Sequence, residues 1–271
     1  MKDINFEKKD YTYLQWSKVR SSSGTAGSFL KATEIKSGKK IYYKLSDFDS
    51  VFGIVGHECV NEIIVSRLLN ILGVYHLRYN LIYGEIKIDS KRYTTYFCKS
   101  ESFRKEGERK ITFEDYYQIE KKDDETPFDF VKRCGWEEEF AQMLIIDFLI
   151  LNRDRHGANI EVIMDSKGAV RLAPLFDQGI SLLFGCHNEE MIKKFEILED
   201  RPIQSFVGSN STKENLKLIE EKYLYSIQKL SEGDREYILE GLEDILSETH
   251  IEKIWEMIWK RWLYYESMFN L

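Results

Sequence analysis

Residues 143–151 read MLIIDFLIL, and the next eight read NRDRHGAN. Nine positions carrying a single charge leave no polar face for water, so this segment belongs inside a core. The chain then sets two Asn, two Arg, one Asp and one His in eight positions. A core segment that runs straight into such a cluster holds it at the rim of the core, where a polar loop is fixed and still reachable. The periodicity predicts a helix over 136–151 and makes 152–159 a candidate for chemistry. Asp147, inside the apolar run, needs a partner once buried, and is expected to anchor the loop rather than to react.

The rest of the chain divides around residue 130. Before it, short runs rich in Tyr, Ile and Thr alternate with polar turns: SFLKATEI, KIYYKLS, YNLIYGEI and RYTTYFCK, separated by KSGKK and IDSKR. These predict strands. One helix interrupts them, over 56–72, with Val60, Ile64, Leu68, Ile71 and Leu72 at helical spacing and Gly73 to stop it. After residue 130 helical periodicity dominates. Near the end Thr249 and Glu252 form a capping-box pattern, and Ile251, Trp255, Ile258, Trp262 and Tyr265 line one stripe that is expected to be core. The layout is an α+β fold in two closely packed parts: 1–103, with strands, one helix and a glycine-rich loop, and 104–271, helical. Only three Pro occur and no linker composition separates the parts.

Residues 21–28, SSSGTAGS, supply the conformational freedom and donors to cradle an anion. The loop leads into a strand, a tight turn at Ser37-Gly38 and a second strand that ends in Lys44. Lys44 then sits beside the loop, able to reach phosphates. A buried ammonium needs a carboxylate, and the following helix offers Glu58 and Glu62, one turn apart; Glu62 is preferred. Loop, strand, turn, strand with Lys, helix with Glu is the order found in the small lobe of kinases.

Asp154 and Asn159 are five residues apart, the spacing of kinase catalytic loops. The carboxylate suits a base that takes a hydroxyl proton, and the amide oxygen suits Mg²⁺ without adding charge. The segment LAPLFDQGISLL follows, and its Asp177 sits before Gly179 where a loop can present a second metal ligand. His156 is expected to brace the loop.

Taken together, NRDRHGAN and APLFDQGISLL resemble the HipA-like family of bacterial serine/threonine kinases, whose motifs are D-R-H-x-x-N and a later P-x-F/Y-D. The same loop order resembles phosphoinositide 3-kinase-like enzymes. The resemblance spans about residues 20–185 by motif. It implies a bilobal kinase-like fold, Mg²⁺ and ATP as cofactors, and a protein Ser/Thr hydroxyl as acceptor. It makes Asp154 the base, Asn159 and Asp177 metal ligands, and Lys44 the ATP lysine. Glu62, in NEIIVSRLLNILGV, becomes its partner. Ser23, Gly24, Thr25 and Gly27 would contact phosphates. Lys99, Ser100 and Glu101, in YFCKSESF, would form the hinge beside the adenine. Family members can phosphorylate themselves in the glycine loop; Ser21, Ser22, Ser23 and Ser28 are the candidates, with Thr25. An antitoxin or regulatory protein is the family's partner class. Toxin members commonly carry an extra subdomain before the loop, whereas twenty residues precede Ser21 here, as in compact stand-alone members.

Two other readings remain open: a lipid or small-molecule kinase of the same fold, and a nucleotide-binding pseudokinase. The net charge of −7 argues against a general affinity for nucleic acid and mildly against an anionic membrane surface. Cys59, Cys98, Cys134 and Cys186 match no metal spacing and read as free thiols in a reducing compartment. With no signal-peptide pattern and no membrane-length apolar run, a bacterial cytoplasmic protein is expected, and export without a cleavable signal is left open.

Overall fold

The computed structural model describes residues 3–17 and 29–271. Among the described residues twelve strands run in chain order: β1 (Ile4–Asp10), β2 (Lys31–Lys36), β3 (Lys39–Lys44), β4 (Phe48–Asp49), β5 (Gly53–Ile54), β6 (Tyr79–Ile88), β7 (Lys91–Glu101), β8 (Arg109–Thr112), β9 (Asp154–Arg155), β10 (Glu161–Met164), β11 (Val170–Leu172) and β12 (Gln204–Ser205). The helices are α1 (Glu58–Ile71), α2 (Phe113–Glu120), α3 (Pro127–Cys134), α4 (Glu137–Leu149), α5 (Glu189–Lys193), α6 (Thr212–Leu216), α7 (Asp234–Leu239) and α8 (Glu248–Phe269).

Ser37 and Gly38 both take positive φ, 52° and 76°, as a two-residue hairpin of the primed type requires. That turn fixes the β2–β3 register, with Lys31 opposite Lys44. The resulting sheet has the order β1-β6-β7-β3-β2. Four expected strands are present, and β1 is an addition, pairing parallel to β6. One face packs a small core around Phe97, with the rings of Tyr11 and Trp16 edge-on to it at 5.1 and 5.7 Å. The other face takes α1. This helix is buried over all but its last two residues, and its end is closed by Gly73 (φ 71°), with Val74 N–H donating to Leu69 O at 3.0 Å and Gly73 N–H to Asn70 O, a Schellman arrangement.

Helix α4 is the centre of the large core. From Phe140 to Leu149 only Gln142 is not buried. The region after residue 104 is not wholly helical as the periodicity suggested. A second sheet, β11-β10-β8, is present; β8 and β10 are short and pair across 49 or more residues, which leaves little local signature.

The cap of α8 also differs from expectation. Ser247 caps it by accepting from His250 N–H at 3.3 Å, so Thr249 falls inside the first turn. The buried face of α8 runs through Ile254, Met257, Ile258, Arg261, Trp262 and Tyr265, whereas Trp255 stacks on Trp259 at 5.9 Å at its margin. Arg261 is fully buried and donates only to carbonyls, of Ile197, Phe148 and Glu199, at 2.8, 2.7 and 3.0 Å. No helix among the described residues is long and apolar enough to cross a membrane.

Two histidines meet where α1 and α8 begin. The His57 and His250 rings lie 4.5 Å apart, edge to face, and neither Nε2 has a partner among the described residues. Burial, then the neighbouring His250 and His187, lowers His57 to about 3, and burial lowers His250 to about 4. Both therefore fold neutral. Between pH 6.5 and those values the unfolded chain binds more protons, so stability must fall as pH drops through that window. Urea unfolding at pH 7 and pH 5 should show a loss of up to roughly 2 kcal/mol per histidine. A His57→Phe variant should lose its share of that slope, whatever its stability at pH 7.

Candidate active site

The short sheet-to-helix path of the sequence delivers Lys44 from β3 to α1. Lys44 Nζ lies 2.9 Å from Glu62 Oε1 and 2.5 Å from Asp177 Oδ1, and 5.0 Å from the Phe29 ring centroid. Glu62, not Glu58, is the partner; Glu58 instead accepts from Asp47 N–H at 3.0 Å. Burial alone would lower the Lys44 pKa, yet the carboxylates of Asp177 and Glu62 raise it well above the ordinary value. The group is a fixed cation. Glu62 uses its second oxygen to accept from Gln178 N–H at 2.9 Å, so α1 holds both the lysine and the loop that carries Asp177.

Asp177 adopts φ 60°, unusual for a side chain larger than Gly. Its N–H donates to the Tyr79 hydroxyl at 3.2 Å. Burial, then the nearby carboxylates of Glu62 and Asp177, pushes the Tyr79 phenol well up, so that hydroxyl stays neutral. Downstream, Asn61 of α1 donates to the carbonyls of Gly179 and Ser181 at 2.9 and 3.0 Å.

Residues 152–159 leave α4 as a strand-like bend and a single 3₁₀ turn. Arg155 is 1% exposed and joins α4, the end of the 152–159 loop and the loop that carries Asp177. It reaches Asp147 of α4 through Nε and Nη2 at 3.0 and 2.9 Å. Its Nη1 donates to Asn159 O at 3.2 Å and Phe176 O at 3.1 Å, and Nη2 to Gln178 Oε1 at 2.8 Å. Asp147 thus serves as the loop's anchor, and it also accepts from Asn152 Nδ2 at 2.8 Å. Asn159 Nδ2 donates to Asp154 O at 2.8 Å and to Asp154 Oδ2 at 3.3 Å, which turns the amide oxygen away from Asp154. His156 accepts from Ala158 N–H through Nδ1 at 3.2 Å, and its Nε2 is 3.5 Å from Asp154 Oδ1; it braces the loop.

A cavity of about 360 Å³ opens between the large sheet and the β8–β10 sheet. Lys44, Tyr79 and Asp177 line one part of it, and Ser100, Glu101 and Phe103 another. That volume lies at the small end of ligand pockets. Lys99 does not line it. Strand alternation turns Lys99 to the same face as Phe97, whereas Cys98 and Ser100 point to the cavity. The hinge residues the structure brings to the cavity are Ser100 and Glu101, followed by Ser102, Phe103 and Arg104. Ser21, Ser22, Ser23, Gly24, Thr25, Gly27 and Ser28 lie outside the described residues. Sequence reasoning missed Tyr79, Gln178, Lys110 and Glu161; a tyrosine opening a strand and a glutamate two places after Asn159 were the signals available.

The donor set suits a hard divalent cation. Asp177, Asp154 and the Asn159 amide offer oxygen only. Among the described residues no group of three His, Cys, Asp or Glu could hold a metal by itself. Mg²⁺ is commonly held by one or two carboxylates with substrate phosphates and water completing the shell, so the residues fit that ion in company with a nucleotide.

No protein-family model matches the sequence, and no curated protein matches it. Solved structures do. The crystal structure of the Helicobacter pylori proinflammatory kinase CtkA aligns over 97% of this chain and 98% of that one, with 15% identity and a TM-score of 0.64. HipA from the toxin–antitoxin complex of Shewanella oneidensis MR-1, with HipB and operator DNA, aligns over 94% and 68%, with 12% identity and a TM-score of 0.48. WaaP, in complex with acyl carrier protein, aligns over 95% and 89%, with 14% identity and a TM-score of 0.40. The latter two likenesses are too loose to reason from. The first shows that this chain shares the α+β fold of the CtkA structure.

Proposed function

We propose that the chain is a Mg²⁺-ATP-dependent kinase that transfers phosphoryl groups to Ser or Thr hydroxyls of a protein. The observation that carries this reading is the buried Lys44 ammonium, held by Glu62 and Asp177 at one end of the cavity. Arg155 ties the Asp177 loop to the loop of Asp154 and Asn159.

Bound Mg²⁺-ATP supplies the transferable phosphoryl group and neutralises charge on its oxygens. The chain's residues then have separable tasks. Lys44 has three donors, so it can keep Glu62 and direct a proton toward a phosphate oxygen. Asp177 and the Asn159 amide oxygen would hold the metal. Asp154, kept in place by Asn159 and by the loop's attachment to Asp147, accepts the proton of the incoming hydroxyl. The backbone near Glu101 to Phe103 borders the base. In this account catalysis is mostly positioning and electrostatic preorganisation. The hydroxyl-rich segment 21–28 is the proposed target of self-phosphorylation, where a phosphate of about −1.5 to −2 charges would oppose an incoming nucleotide.

Asp154→Asn is expected to keep the fold and nucleotide affinity and to lower turnover by at least about 100-fold. Steady-state ADP formation beside a calorimetric ATP titration checks this. Near-normal turnover would remove Asp154 from the base role.

Asp177→Ala should weaken Mg²⁺-ATP by at least about tenfold while leaving adenosine without metal nearly unaffected, since a carboxylate that grips the metal has no contact with the base. Parallel titrations with and without Mg²⁺ separate the two. Equal losses for both ligands would reduce Asp177 to a partner of Lys44.

A further inference from the structure

The cavity holds an ion pair that the phosphoryl-transfer machinery leaves unused. Asn159 ends the catalytic loop, and β10 starts two residues later at Glu161. Alternation along β10 sends Val162 into the core, fully buried, and Glu161 to the cavity. Lys110 reaches the same wall from the neighbouring strand β8. Its Nζ lies 2.5 Å from Glu161 Oε1. Their backbones are not directly opposed, since Glu161 faces Thr112 and Lys110 faces Ile163, so the side chains lean together along the cavity wall. Glu161 is 8% exposed, and its Oε2 is buried with no hydrogen-bond partner among the described residues. A buried carboxylate oxygen left without a donor is costly. Ile111, Phe176 and Phe103 add apolar surface, the last two rings 6.0 Å apart, and Thr112, opposite Glu161, also lines the cavity. Few convergent polar groups among apolar walls is how pockets fix ligand orientation.

We propose that Glu161, with Lys110, is a specificity-determining pair for the nucleoside part of the bound nucleotide, an inference that rests on the nucleotide reading above. The pair presents an acceptor beside a donor. Its ligand must present the complement, a hydrogen-bond donor next to an acceptor. A nucleoside carries two such edges, the base amino group beside a ring nitrogen and the vicinal hydroxyls of ribose. Either satisfies the unpartnered oxygen of Glu161 while Lys110 holds the other. A pair that merely joins β8 to β10 would affect stability and leave discrimination between nucleosides untouched.

The test is a calorimetric titration with ATP, purine riboside triphosphate (which lacks the amino group) and 2′-deoxy-ATP. It is run on the wild type, Glu161→Gln and Glu161→Leu, each first checked by thermal unfolding. The wild type should bind one of the two analogues about tenfold or more weakly than ATP, the size of one hydrogen bond to a charged group. The analogue that suffers names the edge being read. In Glu161→Leu that gap should shrink to about twofold or less, and in Glu161→Gln it should be intermediate. Wild type that binds all three alike overturns the proposal, even where neither variant folds. So does a gap that survives in Glu161→Leu. In both cases ATP binding itself stands, and the nucleotide reading with it. A wild type that binds none of the three overturns both.

Discussion

The site depends on one buried cation. Arg155 is almost wholly buried, and its partners lie in three separate stretches of chain: the last turn of α4, the end of the 152–159 loop and the two residues flanking Asp177. Its charge is matched by Asp147 at bidentate range, so the pair is inside the core without an orphaned ion. Removing one member of such a pair typically costs about 3–5 kcal/mol. Here it would also release the loop that positions Asp154 from the loop that positions Asp177. The apolar run around Asp147 is therefore the fixed base from which the 152–159 loop and the Asp177 loop are hung.

A second constraint joins the large sheet to these loops. Lys44 is anchored by the β2–β3 register and meets Glu62 from α1, and Glu62 grips the backbone of Gln178. The sheet, α1 and the Asp177 loop are thus one hydrogen-bonded unit. Arg67 extends it, since it binds Asp3 with two bonds and the carbonyls of Ile238 and Glu240 with others. A change at the lysine is felt at the Asp177 loop both directly, through Asp177, and through Glu62 to Gln178 N–H. The left-handed backbone of Asp177 persists because Tyr79, Glu62 and Arg155 hold its neighbourhood from three sides.

The residues that were legible in the sequence are those whose chemistry restricts both type and spacing. Asp154, Asn159 and Asp177 stood out because two carboxylates and an amide at those intervals have few structural uses. Lys44 and Glu62 followed from the need to pair a buried charge. Long periodic helices were equally plain, as in α1 and α4. What escaped was non-local. β1 carries one buried residue, Ile4, and an exposed Phe6, so its alternation is too weak to announce a strand that needs β6 to exist. β8 and β10 are four residues each and find one another across the intervening helices. Lys99 was misplaced by the phase of one strand, which only the burial of Phe97 settles. The α8 cap was a competition between Ser247 and Thr249, two good cap residues, decided by which hydroxyl meets a free N–H.

Phosphoryl transfer is the central claim, and it is reached most directly by following intact mass and ADP together while the wild-type protein is incubated with Mg²⁺ and ATP. The account predicts ADP formation and the gain of at least one phosphoryl group on the chain, mapped by fragmentation to residues 21–28. Both should be absent when Mg²⁺ is withheld. A protein that binds ATP yet neither changes mass nor forms ADP, with Mg²⁺ present and its fold intact, would contradict it.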